Sequence, residues 1–191
     1  MTVRNFTLFD TAIGSCGIGW SARGIAVVQL PETDERKTRA RMQRRFPRAQ
    51  EAPPTPDVQR AIDGIVALLR GEKRDLTDVA IDDDEIPAFN RKVYAIARTI
   101  PPGATMTYGQ IAERLGDRLL AREVGQAMGE NPTPIVMPCH RVLAANGKTG
   151  GFSANGGVTT KLRLLTIEGA QPGGPTLFDN LPLAARKKSG A

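Results

Sequence analysis

Residues able to form strands and residues able to form helices occupy different parts of this chain, and that separation limits the fold most. Phe6-Thr7-Leu8-Phe9 and Gly24-Ile25-Ala26-Val27-Val28-Gln29-Leu30 are β-prone runs. Between them lies Gly14-Ser15-Cys16-Gly17-Ile18-Gly19-Trp20-Ser21, followed by Ala22-Arg23-Gly24 as a hairpin turn. The simplest arrangement is a three-stranded antiparallel meander. Beyond it the apolar period becomes helical. Val58, Ala61, Ile62, Ile65, Val66, Leu68 and Leu69 mark an amphipathic helix over Asp57 to Arg70, after the lead-in Ala52-Pro53-Pro54-Thr55-Pro56. Phe89, Val93, Tyr94, Ile96, Ala97 and Ile100 mark another, stopped by Pro101-Pro102-Gly103. The predicted class is α/β (α+β): an antiparallel sheet with helices over residues 1–86, then a helical unit over 87–170, divided near Ile86-Pro87.

The second half contains a pair of short helices. Thr107 is a natural N-cap, and Gln110 three residues on completes a capping box. The first helix runs from Tyr108 to Leu115 and ends at Gly116; the second covers about Leu119 to Met128. A Gly-containing turn between two such helices fits a helix-turn-helix. The second helix has small residues on part of its surface, which suits close approach to a DNA groove or to another helix. Thr160 to Glu168 forms a last helix, preceded by a Gly-, Asn- and Ser-rich loop from Gly147 to Gly157. From Gln171 the chain is Pro-Gly-rich and ends in Arg186-Lys187-Lys188, read as a mobile tail over 171–191.

Charge adds a partner class. The net charge is +6 over 191 residues, and a basic protein is drawn to polyanions. Ten Lys or Arg stand against five acids between Phe89 and Gly169. Glu32 to Arg45 is a charged helix; its cations could form a phosphate patch, although a solvated face is the plainer reading. Asp82-Asp83-Asp84-Glu85 reads as an exposed loop. No apolar run approaches a membrane span, and Met1 to Phe6 lacks the pattern of a signal peptide, so a cytoplasmic protein is expected. Cys16 and Cys139 are then expected as free thiols. One His and two Cys are too few for a structural zinc site.

Pro138-Cys139-His140-Arg141 carries the chemistry: one of two cysteines stands beside the single histidine. A thiolate is a far better nucleophile than a thiol, and a neighbouring base or cation favours it. His140 supplies a base, and Arg141 positive charge. Side chains of adjacent residues align poorly for a direct bond, so a water between Cys139 and His140 is the expected relay.

With its flanks, Asn131-Pro132-Thr133-Pro134-Ile135-Val136-Met137 and Val142-Leu143-Ala144-Ala145-Asn146-Gly147, this segment resembles the active-site region of the O6-alkylguanine-DNA alkyltransferases. Thr107-Tyr108-Gly109-Gln110, Ala121-Arg122-Glu123-Val124-Gly125 and Glu168-Gly169 follow the family's order, so the resemblance covers Phe89 to Gly169. It implies a winged-helix-like DNA-binding domain. It also implies direct-reversal repair: irreversible transfer of the methyl group from O6-methylguanine, with O4-methylthymine as a secondary substrate, to Cys139 in a single turnover. The implied partner is double-stranded DNA containing O6-alkylguanine, bound by a monomer with the nucleotide flipped out, with no cofactor, metal or membrane. Glu168 would support His140. Arg122 would enter the base stack, and Tyr108 would crowd the 3′ phosphate and donate to guanine N3. The Val142 and Cys139 carbonyls would accept from the exocyclic amine, Ser153 would donate toward O6, and Asn131 would tie the helix pair to the Cys139 turn. The loop Phe152-Ser153-Ala154-Asn155-Gly156-Gly157 is about two residues longer than in many relatives, which bears most on Ser153 and on substrate range. Competing readings are a noncatalytic sensor of alkylated DNA, a plain helix-turn-helix regulator and a thiol hydrolase.

Overall fold

The computed structural model describes residues 3–170; the tail expected over 171–191 lies outside the described residues. The chain opens with β1 (Asn5–Thr11), β2 (Gly14–Ser21) and β3 (Gly24–Gln29), followed by α1 (Glu35–Arg45), β4 (Gln50–Glu51) and α2 (Pro56–Leu69). The strand order is β3-β2-β1-β4. The first three strands form the expected antiparallel meander, with two-residue turns between them. The fourth, β4, pairs parallel to β1 at Asn5 and Phe6. The pattern did not announce it, because a two-residue strand has no period to read.

Alternation along the strands divides the sheet into two faces. Ile18, Trp20, Ile25 and Val28 join Val58, Ile62, Ile65 and Leu69 of α2 in one core. Phe6, Ala26 and Val27 pack with Met42 of α1 on the other. Two glycines of β2 let α1 and its neighbours come close. A Cβ on Gly17 would lie 2.9 Å from Met42 Cγ, and one on Gly19 would lie 2.7 Å from Val3 Cγ1 and 2.8 Å from Val27 Cγ1. Cys16, on the α2 side of the sheet, is completely buried. Burial pushes its thiol pKa up to about 12, so it is unreactive.

The second half contains α3 (Ala88–Arg98), β5 (Met106–Thr107), α4 (Tyr108–Arg114), α5 (Ala121–Gly129), β6 (Val142–Leu143) and α6 (Val158–Ile167). The capping box at Thr107 and Gln110 is present in both directions. The second helix of the pair begins later than the sequence suggests, because Arg118–Leu120 is a 3-10 turn capped by Asp117. β5 and β6 pair in parallel, Met106 with Val142 and Thr107 with Leu143, and so anchor the start of α4 beside the Cys139 segment.

The two halves share a core. Ile135, Val136 and Leu164 complete the cluster around α2, and Phe152 packs against both this cluster and the one formed by α3, α4 and α5. Arg98 Nη2 adds a polar clamp, donating to the Leu76, Thr77 and Val79 carbonyls at 2.8–3.0 Å.

Because Gly19 has rigid valine methyls on both sides, Gly19→Ala should overpack the sheet. The expected loss is about 1–3 kcal/mol of unfolding free energy, read from urea denaturation. An unchanged midpoint would contradict this packing.

Candidate active site

The turn that presents Cys139 is built by backbone geometry first. Met137 N–H donates to the Thr133 carbonyl at 2.8 Å, and Arg141 N–H to the Pro138 carbonyl at 2.9 Å. Cys139–Arg141 is a 3-10 turn closed by the Val142 N–H on the Cys139 carbonyl. The tightness has a local cost: Ile135 adopts φ 76°, a left-handed conformation that a β-branched residue avoids. Buried packing of its side chain, 1% exposed, holds it there.

Asn131, at the end of α5, ties this turn to the helix pair. Its Nδ2 donates to the Met137 carbonyl at 2.9 Å and to Cys139 Sγ at 3.2 Å, and its Oδ1 accepts from the Thr133 N–H at 2.9 Å. Cys139 is 7% exposed. It lines a cavity of about 470 Å³ with Tyr108, Gly125, Met128, Gly129, Gly151, Phe152 and Ser153. The small residues of α5 therefore form cavity wall. A larger groove of about 660 Å³ lies beside Trp20 and the start of α2, but no thiol or imidazole lines it.

His140 is 1% exposed, and its Nε2 lies 2.9 Å from Glu168 Oε1. Glu168 also receives both arms of the Arg141 guanidinium, Nε on Oε2 and Nη2 on Oε1, each at 2.8 Å. Burial alone would raise the Glu168 carboxyl, but hydrogen bonds from His140 and Arg141 outweigh it and hold the pKa at about 2. An ionised Glu168 assigns the proton to His140 Nε2. Nδ1 is then a lone-pair acceptor, buried and without a partner among the described residues. Burial keeps His140 neutral, its pKa lowered despite Glu168. The group is thus a neutral base whose basic nitrogen is free.

Arg141 departs from the sequence reading. Its guanidinium is taken up by Glu168 and, through Nη1, by the Ile100 carbonyl at 2.6 Å. The cation that acts on the thiol is Lys161, which sequence reasoning missed. Lys161 is fully buried, its Nζ donates to the Val142 carbonyl at 2.5 Å, and it lies 5.8 Å from the Tyr108 ring centroid. Desolvation lowers its pKa to about 8, against the attraction of Cys139. A signal was present: Lys161 shares the inward helical face with Leu164 and Leu165, where a lysine is out of place. Burial raises the Cys139 pKa, while the Asn131 hydrogen bond and then the Lys161 charge pull it down. Burial dominates, so the resting thiol is held in its protonated form.

The other expected residues fall around the cavity in different ways. Tyr108 begins α4 and is half-buried; Gly150 of the loop packs so tightly on it that a Cβ there would lie 2.9 Å from the Tyr108 hydroxyl. Arg122 is exposed on α5, one turn before Gly125, and makes no hydrogen bond or ion pair among the described residues. The Val142 carbonyl already accepts from Lys161. Ser153 Oγ donates to the Gly129 carbonyl at 3.3 Å, so in this state it bridges the loop to α5.

Comparison with known proteins agrees with this arrangement. The family model described as 6-O-methylguanine DNA methyltransferase, DNA binding domain, matches residues 88–170. A methylated-DNA–protein-cysteine methyltransferase of Mycolicibacterium paratuberculosis is 43% identical over 121 residues, spanning 62% of this chain and 70% of that protein. A relative of the same name from Methanothermobacter thermautotrophicus is 30% identical over 80% of this chain and 78% of its own length. Among solved structures, Mycobacterium tuberculosis OGT in complex with DNA superposes with a TM-score of 0.71 at 30% identity, covering 86% of this chain and 92% of that one. A thiol at the wall of a cavity, a carboxylate-held imidazole beside it and a helix pair in front are therefore found in a chain that belongs to the methylated-DNA–protein-cysteine methyltransferase family.

Proposed function

We propose that this protein repairs O6-alkylguanine in double-stranded DNA by moving the alkyl group to Cys139 once per molecule. The observation that carries this reading is the placement of Cys139 Sγ at a cavity wall, held by the Asn131 amide and next in the chain to the neutral, carboxylate-held His140. A sensor of alkylated DNA needs no nucleophile, and a plain regulator needs no base beside one. The helix pair α4–α5 would meet the duplex, with Arg122 filling the place of a nucleotide turned into the cavity and Tyr108 crowding its 3′ phosphate. Residues 87–170 would form the DNA-binding and transfer unit, a division supported by the family match over 88–170. One chain supplies every one of these groups, which favours action as a monomer. Two free thiols suit a reducing cytoplasm.

In this reading the Cys139 proton passes through a water to His140 Nδ1, while Glu168 steadies the imidazolium by accepting from Nε2. The sulfur attacks the alkyl carbon in line with the O6–carbon bond. The new S–C bond forms as the C–O bond breaks, and its electrons remain on guanine. Ser153, once turned from Gly129, and the Tyr108 hydroxyl donate to the departing base. Lys161 stabilises the thiolate and positions the Val142 carbonyl as an acceptor for the exocyclic amine; a carbonyl has two lone pairs, so it can serve both. O4-methylthymine would react by the same displacement.

Three outcomes are expected. With an O6-methylguanine duplex, peptide mapping should find one methyl on Cys139, and Cys139→Ser should bind the duplex yet gain none; a methyl on any other residue would exclude the mechanism. Lys161→Met removes a buried cation, so the Cys139 thiol should titrate higher and transfer near neutral pH should slow by about tenfold or more, each pKa unit being a factor of ten. Thiol-alkylation rates against pH check this, and an unshifted profile would remove Lys161 from the site. The third outcome concerns stability. His140 and Glu168 both titrate lower when folded, so each stabilises the fold above its unfolded value and loses that effect as pH falls. Stability should decline below about 6.5, the ordinary His value, and further between about 4.5 and about 2. In Glu168→Gln the lower part of that decline should disappear in pH-dependent melts.

A further inference from the structure

The cations of α1 remain outside everything described so far. Between Glu32 and Glu51 there are seven Lys or Arg against four carboxylates. Lys37, Arg41, Arg44 and Arg45 follow at helical offsets of four, seven and eight, so they share one flank of α1. Two of them are held in an unusual way. Arg41 Nε, at 3.2 Å, and Arg45 Nη1, at 3.0 Å, both donate to the same oxygen, Oε1 of Gln29. Gln29 is 6% exposed and is itself fixed by its Nε2 on the Leu30 carbonyl at 2.9 Å. A neutral amide thus gathers two like charges, and one carboxylate, Glu32, lies 3.2 Å from Arg41. Arg44 and Arg48 have no acid partner among the described residues.

An ordinary solvated helix spreads such charges or pairs them. Here a buried glutamine holds two guanidiniums together at a cost in mutual repulsion, which an anionic oxygen placed between them would relieve. Burial and the Arg41 charge lower the Arg45 pKa, consistent with that repulsion. α1 packs on β1 and β2, whereas α5 packs on α3 and α4. Met42 seats α1 on the sheet face opposite to the one that packs with α2, Ile135, Val136 and Leu164. The sheet therefore stands between α1 and the α2 side, where Ile135, Val136 and Leu164 pack.

We propose that the Lys37–Arg41–Arg44–Arg45 flank of α1 is a second DNA-backbone site, which takes phosphates of a duplex segment other than the one held by α4–α5. It rests on the DNA-binding reading of this family but not on the transfer chemistry. One molecule could then hold two DNA segments, an arrangement suited to transfer between strands during a search for damage.

The test uses the full chain, parent and a variant with Lys37→Gln, Arg41→Gln, Arg44→Gln and Arg45→Gln. The exposed single change Arg44→Glu provides a variant with little risk to folding, and thermal melts confirm that each is folded. Two readouts are taken: single-turnover methyl transfer from a short duplex carrying one O6-methylguanine, and capture of a second, labelled, undamaged duplex by protein bound to an immobilised one. Both variants should transfer methyl from the short duplex at the parent rate. Capture of the second duplex should fall at least about tenfold in the quadruple variant, and its salt dependence should flatten by about 0.9 in log–log slope for each phosphate that the variant no longer neutralises. Capture that survives both sets of substitutions overturns the proposal. So does capture that disappears only together with short-duplex transfer, or a parent that bridges duplexes by self-association in sedimentation without DNA. Failure of the parent to transfer methyl at all would instead sink the repair reading.

Discussion

Glu168 is the joint on which the active half is assembled. It ends α6, is almost fully buried, and one carboxylate takes His140 Nε2 together with the fork of Arg141. Arg141 continues to the Ile100 carbonyl at the end of α3. Three pieces of chain that are remote in sequence are thereby fixed at the back of the Cys139 turn. A buried carboxylate this well paired stays ionised, and its charge determines which imidazole nitrogen holds the proton. Without it the histidine would be free to reverse its tautomer, and Nδ1 would no longer be fixed as the unprotonated nitrogen.

The front of the turn obeys a different constraint. Asn131 draws on backbone and sulfur at once, so the helix pair and the nucleophile cannot shift independently. Lys161 reaches the same place from α6 and holds the Val142 carbonyl. The strained Ile135 lies between these anchors, kept by packing in a core that belongs mainly to the first half of the chain. The sheet-and-helix half thereby supports the turn from behind: α2 and β3 close around Ile135 and Val136, which precede Cys139. Burial raises the Cys139 pKa, while the Asn131 donor and the Lys161 charge favour its ionised form.

Much of this was legible in the sequence, and the residues show why. The meander, the capping box at Thr107 and the helix stop at Gly116 are local: alternation, one side-chain bond and one glycine at φ 99° decide them. Cys139 and His140 were identifiable because neighbours in sequence are neighbours in space. Asn131 and Glu168 were placed by likeness to a family, and their geometry could not be read from spacing. Lys161 was overlooked because a lysine on a short helix is by habit assigned to solvent. Arg141 was given the wrong target because a residue two positions from a thiol need not face it; a 3-10 turn sends its side chain back toward α6.

By itself, the sequence determined the three-stranded meander, the helix pair and the pairing of Cys139 with His140 as candidate nucleophile and base, since each depends on contacts within a few residues. Only the tertiary structure decided which cation lies near the thiol, which imidazole nitrogen is free, how the parallel strands β4 and β5–β6 pair, and that α1 packs on the sheet face opposite to α2. Those outcomes depend on burial and on the meeting of distant segments, where desolvation and pairing energies exceed any local preference.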